Sequence, residues 1–200
     1  DITNMVESCV CLHKKGGSKP KKPLIGHVVK AGKPFLRLAI DFIELPVTTT
    51  GFRYALTVQC TFSRFLVAIP LCRCRAIDAA KSLYDKVFNP YRVPEVVESD
   101  RGSHFNNQLM AEFLKMYAVT QKLHVAWRPQ STGALERAHR TLKNSLYVVI
   151  QEKQIQWDLV IGAVVRVMNA TPNSATKISP FEAVFGNKPV LNEFEKESGT

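Results

Sequence analysis

The sequence lacks several features that would restrict its class. Its 200 residues contain no run near the roughly 18–20 apolar residues that a membrane span needs, so we expect no membrane partner. The first residues, DITNMVES, lack the basic and then apolar order of a signal peptide. Five cysteines form an odd set whose spacings fit no disulfide framework, which favours a reducing compartment. Internal repeats and an initial methionine are also missing, and we expect a piece of a longer protein.

Acidic residues are few. The chain has 17 Asp and Glu against 27 Lys and Arg, which gives a net charge of +10. Such an excess favours a polyanionic partner such as nucleic acid, although a basic protein without that partner has the same composition. The apolar share of 46% is that of an ordinary globular protein with one sizeable core.

The order of apolar patterns predicts a mixed α/β domain. Apolar runs and turn residues predict three strands within residues 34–71, with turns near Gly51 and Ser63. Residues 76–88 have helical periodicity, and the later segments alternate between strand and helix. The later segments are EVVESD, NQLMAEFLKMYAV, QKLHVAW, the basic helix described below, the helix IQWDLVIGAVVRVMNAT, and a short helix after Ser179. The helix IQWDLVIGAVVRVMNAT is too apolar to be exposed, so we expect it to be buried. Paired strands followed by alternating elements predict a mixed sheet with helices on its faces.

Three carboxylates occupy positions that could converge. Asp41 lies inside the apolar strand LAIDFIE, where a charge is costly unless it is paired, metal-bound or at the sheet surface. Asp100 ends a short strand, and Glu136 lies near the start of a helix. The thirty-five residues between Asp100 and Glu136 are enough to leave a sheet and return to the same edge. If Asp41 and Asp100 lie on neighbouring strands, the three side chains can meet.

Three adjacent carboxylates repel one another unless cations lie between them, and hard oxygen ligands suit Mg²⁺ or Mn²⁺. Two such ions about 3.5–4 Å apart can activate an attacking oxygen and stabilise the leaving oxygen of a phosphodiester. Each acid also has a structural interpretation. Asp100 precedes Arg-Gly as a turn residue would, and Glu136 would favour the helix dipole, whereas Asp41 is harder to explain structurally. Together they favour phosphoryl transfer on nucleic acid.

The stretch HVAWRPQSTGALERAHRTLKNSL predicts a loop over Arg128–Gly133 and then a helix. Glu136 shares a helix face with His139, Arg140 and Lys143, because residues three, four and seven apart stack. The acid would hold metal ions while the basic row follows a phosphate backbone, which positions DNA without reading its sequence. The alternative is an ordinary connecting loop and a solvated basic face.

These segments together resemble the catalytic core of retroviral and gypsy-type retrotransposon integrases, or of host proteins domesticated from them. IDF, SDRGSHF, WRPQSTGALERAHRTLK and SPFEAVFGNKP occur in the family's order, over roughly residues 34–190. The family belongs to the DDE polynucleotidyl transferases. The resemblance implies an α/β ribonuclease H-like fold, a mixed sheet flanked by helices. It also implies that Asp41, Asp100 and Glu136 are the catalytic residues and the Mg²⁺ or Mn²⁺ ligands.

The resemblance implies two reactions at one site. Water first attacks near the 3′ end of the element's DNA, and the freed 3′-hydroxyl then attacks a phosphodiester of target DNA. No covalent enzyme intermediate is expected. The DNA-binding residues would be Gln130 and Thr132 in the loop and His139, Arg140 and Lys143 on the helix. His139 departs from the family, which usually has Asn at that position.

The implied partners are element-end DNA, target DNA and further copies of the chain, as a dimer or tetramer, because two DNA ends must be joined together. The implied location is the nucleus, or the virion if the protein is viral. Whether a host factor tethers the complex to chromatin stays open.

We divide the chain into three parts. Residues 1–33 are predicted to be a basic linker with a remnant of an N-terminal zinc domain, residues 34–190 the core, and residues 191–200 the start of a C-terminal linker. Cys9 and Cys11 are one residue too close for the family's Cys-x-x-Cys pair, and its histidines would precede residue 1. Zn²⁺ is therefore expected only if a complete N-terminal domain exists.

Two rival interpretations stand beside the integrase core. A ribonuclease H or another DDE nuclease would also place carboxylates on such a sheet, but the RPQSTG loop and the Pro-Phe-Glu segment argue against it. A domesticated integrase-derived protein could bind DNA or protein without catalysis. The presence of all three acids weakens this second rival without removing it.

Overall fold

A computed structural model describes residues 32–124, 129–174 and 176–189, with the backbone alone for 129–132. The elements follow the order that the sequence predicts, and the helix at 76–88 continues beyond its α-helical part as a π-helix, Tyr84–Phe88. No helix among the described residues is long and apolar enough to span a bilayer. In chain order the elements are β1 Arg37–Glu44, β2 Tyr54–Cys60, β3 Leu66–Leu71, α1 Ala76–Leu83, β4 Val96–Ser99, α2 Gln108–Met116, β5 Thr120–Leu123, α3 Pro129–Lys153, α4 Trp157–Ala170 and α5 Pro180–Phe185.

The five strands form one mixed sheet in the order β3-β2-β1-β4-β5. The first three strands pair antiparallel with one another, β1 with β2 and β2 with β3, as expected for strands joined by short turns. β4 runs parallel to both β1 and β5, because α1 and α2 provide the crossovers that parallel strands need. The α/β mixed sheet flanked by helices that the sequence predicts is therefore confirmed.

Each face of the sheet covers its own apolar core. Successive side chains of a strand point to opposite faces, so Leu38 and Ile40 enter one core and Ala39 and Ile43 enter the other. The first core packs against α1 and α2, and the second against α3 and α4. Phe105, in the loop after β4, is fully buried in the first core. β1 is thus buried on both faces. The charged Asp41 interrupts this apolar strand, and packing of the core gives no reason for it.

Two expectations about helices were wrong. Residues 129–133 belong to α3, whereas the sequence predicts a loop through Gly133. Proline is well suited to the first helical turn, where its missing N–H needs no partner, so the helix can begin at Pro129. The apolar α4 was predicted to be too apolar for exposure, yet Leu159 and Val167 are exposed. The sheet can cover only one side of a helix, and α4 buries the side that carries Trp157 and Ile161.

Candidate active site

The pairing of β1 with β4 brings two of the three predicted acids to one place. Ala39 lies opposite Glu98 in the parallel register, so Asp41 and Asp100, each two residues further along, come side by side, Asp41 within β1 and Asp100 directly after β4. The sequence alone is compatible with this arrangement but does not require it. The sheet order realises it, because β4 inserts next to β1 rather than at an outer edge.

Asp41 carries the electrostatic signature of a crowded acidic site. Its pKa rises from 3.8 to about 6, mainly because burial penalises the charged carboxylate, and the charges of Asp100 and Glu136 raise it further. The N–H of Phe42, which donates to Asp41 Oδ1 at 2.8 Å, and the charge of Lys143 act in the opposite direction. The three predicted acids are therefore close enough to interact electrostatically.

His139 supports Asp41 from α3. Its Nε2 lies 2.7 Å from Thr57 Oγ1, and Thr57 donates its single hydroxyl proton to the backbone carbonyl of Asp41 at 2.9 Å. Thr57 therefore accepts the bond from His139 Nε2–H. The pKa of His139 falls to about 4 because burial and then the charge of Lys143 disfavour the imidazolium, so the ring is neutral. Its Nδ1 then presents a lone pair 3.9 Å from Asp41 Oδ2.

Asp100 combines the turn role with a place beside Asp41. Its Oδ1 accepts the N–H of Gly102 at 2.9 Å, as the structural interpretation of Asp-Arg-Gly requires. The same Oδ1 lies 3.8 Å from His104 Nε2, a buried nitrogen without a hydrogen-bond partner among the described residues. A Cβ at Gly102 would lie 2.5 Å from the His104 ring, so the glycine makes room for the imidazole. His104 therefore borders the acidic site.

Glu136 and the basic residues that follow it occupy an exposed part of α3. Because α3 begins at Pro129, Glu136 is not in the first turn, and the helix dipole gives little reason for an acid there. Arg140 and Lys143 are exposed, whereas His139 is mostly buried against β2. The predicted row is therefore divided: His139 faces the sheet, and the two longer bases face solvent.

Some predicted residues cannot be placed. Gln130 and Thr132 lie in the first turn of α3, but their side chains fall outside the described part of the structure. Cys9 and Cys11, the predicted zinc remnant, and the terminal parts 1–31 and 190–200 also lie outside the described residues. The predicted division of the chain at 33 and 190 stays a prediction.

The acids suit a hard divalent cation by their chemistry. Among the described residues, no three His, Cys, Asp or Glu side chains are gathered closely enough to hold a metal ion. The donors are nevertheless carboxylates, and a cation among them would cancel the repulsion by which Asp100 and Glu136 raise the pKa of Asp41. The three carboxylates fit Mg²⁺ or Mn²⁺ as ligands. To bind one ion together, their oxygens would have to lie closer to one another than they do in this structure.

Sequence reasoning missed Thr57 as a site residue. Thr57 lies opposite Asp41 in the antiparallel register of β1 and β2, which makes it the natural second support of that strand position. Only the register and the rotation of α3 reveal the contact, and a threonine within YALTVQC carries no signal of its own.

The chain is similar to known integrase sequences. A family model described as Integrase core domain matches residues 31–129, a range that ends before Glu136. The Gag-Pol polyprotein of baboon endogenous virus is 29% identical over 193 residues, and the Pol polyprotein of feline endogenous virus ECE1 is 31% identical over 169 residues. These matches cover 96% and 84% of this chain but only 11% and 16% of the polyproteins, so the chain spans a small part of its relatives.

Solved structures show the same fold. The simian T-cell lymphotropic virus intasome in complex with PP2A regulatory subunit B56 gamma matches with a TM-score of 0.73 and 19% identity. That match covers 96% of this chain and 68% of the other. The HTLV-2 integrase catalytic core domain in complex with magnesium, in a trimeric form, matches with a TM-score of 0.65 and 15% identity, over 76% and 98%. The mixed sheet with flanking helices is thus that of integrase catalytic cores, which have a ribonuclease H-like fold.

Proposed function

We propose that this chain is an integrase catalytic core, which catalyses metal-dependent 3′-end processing of element DNA and strand transfer into target DNA. The observation that carries the proposal is the parallel register of β1 and β4. This register supports a site in which Asp41, within β1, is the neighbour of Asp100, directly after β4, and the charge of Glu136 reaches Asp41 from α3. The turn role of Asp100 does not account for the other two acids, and the three together have a clear use around divalent cations.

Asp41, Asp100 and Glu136 would hold Mg²⁺ or Mn²⁺, with the rigid strand position of Asp41 as the anchor. When bound, such ions lower the pKa of an attacking water or hydroxyl and stabilise the leaving oxygen of a phosphodiester. The residues around Asp41 prepare it for that role. Phe42 N–H fixes one carboxylate oxygen, and the Thr57 hydroxyl fixes the strand backbone. The other oxygen stays turned toward His139 Nδ1 and the remaining acids.

DNA binding is the second part of the proposal. Arg140 and Lys143 are exposed on α3 next to the acids, where they can neutralise backbone phosphates without reading bases. Gln130 and Thr132 would lie near the scissile phosphate. His139 would act mainly through Asp41, because its Nε2 is committed to Thr57. The neutral ring also adds no charge that would compete with a metal ion.

The partners follow from the chemistry. Joining two DNA ends requires more than one copy of the site, so we propose a homo-oligomer that acts in the nucleus on element-end and target DNA. The relative from HTLV-2 is described as trimeric with magnesium, and the simian relative as an intasome. A host factor that tethers the complex to chromatin would be a further partner.

The test is strand transfer in Mg²⁺, measured by the joining of a labelled DNA end to a plasmid. We expect Asp100→Asn to abolish joining, because it removes one ligand charge, and we expect Asp85→Asn to leave joining unchanged. Asp85 is an exposed acid on the π-helical turn after α1 and serves as the matched control.

A second readout separates metal binding from activity. Mn²⁺ should raise the melting temperature of the intact protein, since a ligand that binds only the folded state stabilises it. The same addition should have little effect on Asp100→Asn. Joining that survives in Asp100→Asn, or an equal Mn²⁺ shift in both proteins, would contradict the proposal. A protein that binds DNA but neither joins ends nor responds to Mn²⁺ would be the non-catalytic relative.

A further inference from the structure

The loop after β4 holds a histidine that the proposed reaction does not use. The Nε2 of His104 is buried and has no hydrogen-bond partner among the described residues. A buried polar atom of this kind is rare, because it loses its bonds to water and gains none in exchange. Asp100 Oδ1 lies 3.8 Å from it, which is about 1 Å longer than an N–H···O hydrogen bond. The nitrogen thus faces a carboxylate that it does not yet reach.

Two aromatic rings fix the direction of the His104 ring. Phe42 and Phe105 meet it edge to face, with ring centroids 5.0 and 4.5 Å away and interplanar angles of 86° and 76°. Phe105 is fully buried, and the two phenylalanine rings stack on each other. The imidazole therefore cannot turn Nε2 toward solvent without losing these contacts. Phe42 is also the residue whose N–H holds Asp41 Oδ1, so the histidine is packed against a support of the acidic site.

Gly102 keeps the space between the ring and the carboxylate open. A Cβ at this position would lie 2.5 Å from His104 Cε1, 2.7 Å from His104 Nε2 and 3.0 Å from Asp100 Oδ1. Any side chain here would therefore push the histidine and the aspartate apart. The φ of Gly102 lies outside the left-handed region, so the turn itself does not require a glycine. What the missing side chain provides is the direct approach of His104 to Asp100.

The carboxylate of Asp100 has room to move. Asp100 follows the last residue of β4, and 57% of its side chain is exposed. The Gly102 N–H donates to its Oδ1 at 2.9 Å and leaves the second lone pair of that oxygen available. Asp41, in contrast, is held within β1. Since the acids must lie closer together to share a cation, Asp100 is the one whose carboxylate can adjust.

We propose that His104 is a positioning residue for Asp100 when the acids hold a divalent cation. Its Nε2–H then joins the Gly102 N–H on Asp100 Oδ1, and Oδ2 is left to bind the metal. Nε2 carries the proton, because a lone pair there would face the negative carboxylate. Donors of this kind orient the carboxylate ligands of a metal site, and their loss weakens metal binding. The inference rests on the proposed function, which makes Asp100 a metal ligand.

The test is the Mn²⁺ affinity of the intact chain without DNA, measured at one pH from the electron paramagnetic resonance signal of the free ion. Two variants of similar length are compared. His104→Met packs against the same aromatic rings but has no N–H to donate, whereas His104→Gln keeps a donor. We expect the Kd for Mn²⁺ to rise about 10-fold in His104→Met, the lower end of what the loss of such a partner costs. His104→Gln should stay near the wild type.

Two controls separate positioning from folding. Asn106→Ala changes an exposed side chain of the same loop and should leave the Mn²⁺ affinity unchanged. Melting temperatures in EDTA report the stability of each variant without metal. A histidine with only a packing role would change the melting temperature and leave the Mn²⁺ affinity of the folded variants equal. His104→Leu, a second replacement without a donor, is measured beside His104→Met and should show the same weaker binding.

The outcomes are distinguishable. Wild-type Mn²⁺ affinity in His104→Met and His104→Leu overturns the positioning role and leaves the proposed function standing. Equal weakening in His104→Gln and His104→Met also overturns it, because a donated N–H would then not be what the metal site needs. An equal loss in Asn106→Ala would show a general effect of the loop and count against the inference. A wild-type protein that binds no Mn²⁺ contradicts the proposed function, and this inference with it.

Discussion

Asp41 and His139 should make opposite contributions to the pH dependence of stability. The pKa of Asp41 is raised from 3.8 to about 6 in the folded protein, so its ionisation costs stability above pH 6. That cost disappears as the pH falls from 6 to 3.8. At about 1.36 kcal/mol per pKa unit the full shift is worth roughly 3 kcal/mol. The side chain is 38% exposed, and solvent screening reduces the figure to about 1–2 kcal/mol.

His139 acts in the other direction. Its pKa is lowered from 6.5 to about 4, so the unfolded chain takes up a proton that the folded ring refuses. Stability is therefore lost as the pH falls from 6.5 to 4, by about 3 kcal/mol at 1.36 kcal/mol per unit. In the wild type the two contributions largely cancel between pH 6.5 and 4, and a net loss of roughly 1–2 kcal/mol is left.

Substitution of one of these two residues should expose the pH dependence of stability that the other one causes. Asp41→Asn should be more stable than the wild type at pH 8, by about 1–2 kcal/mol, and should lose more stability on acidification. His139→Gln should gain stability toward pH 4 relative to its own value at pH 8. Urea unfolding followed by circular dichroism in EDTA, from pH 4 to 8, measures both profiles, and Asp85→Asn provides the control for an exposed acid. Profiles of Asp41→Asn and wild type that run parallel, or a less stable Asp41→Asn at pH 8, would refute the reasoning.

Three further predictions concern the fold that carries the site. Leu142→Ala should lower the free energy of unfolding by about 2–5 kcal/mol in urea titrations, because Leu142 is fully buried where α3 meets the sheet; a loss below 1 kcal/mol would contradict this packing. Arg37→Met should cost about 3 kcal/mol in the same assay by depriving the buried Glu98 of a partner at 2.9 Å, and Arg37→Met with Glu98→Gln should recover part of that loss. Ala118→Gly should raise stability by about 0.5–1 kcal/mol, since Ala118 has φ 55 after α2, and a decrease in melting temperature would count against it.

The sequence predicts the elements well and their relations less well. Apolar periodicity depends on local burial, so the three strands and the helix at 76–88 could be located from the residues alone. From the sequence, Asp41 and Asp100 could be predicted to lie close together only if their strands are neighbours. The sheet order, which places β4 beside β1, decides this. The bond from Thr57 to His139 depends on a register and on the rotation of a helix, neither of which any local pattern encodes. The φ of Arg64 is equally invisible, since the sequence gives an arginine where the turn suits a glycine.

The charges around Asp41 indicate how a metal ion and DNA would act together at the acidic site. Burial and then the charges of Asp100 and Glu136 raise the pKa of Asp41, and a cation would relieve the repulsion among the three acids. A DNA phosphate that reaches the acids needs a cation there, because otherwise like charges meet. We therefore expect divalent metal to strengthen DNA binding by the wild type, and to lose that effect in Asp100→Asn while the metal-free affinity of the variant stays at least as high.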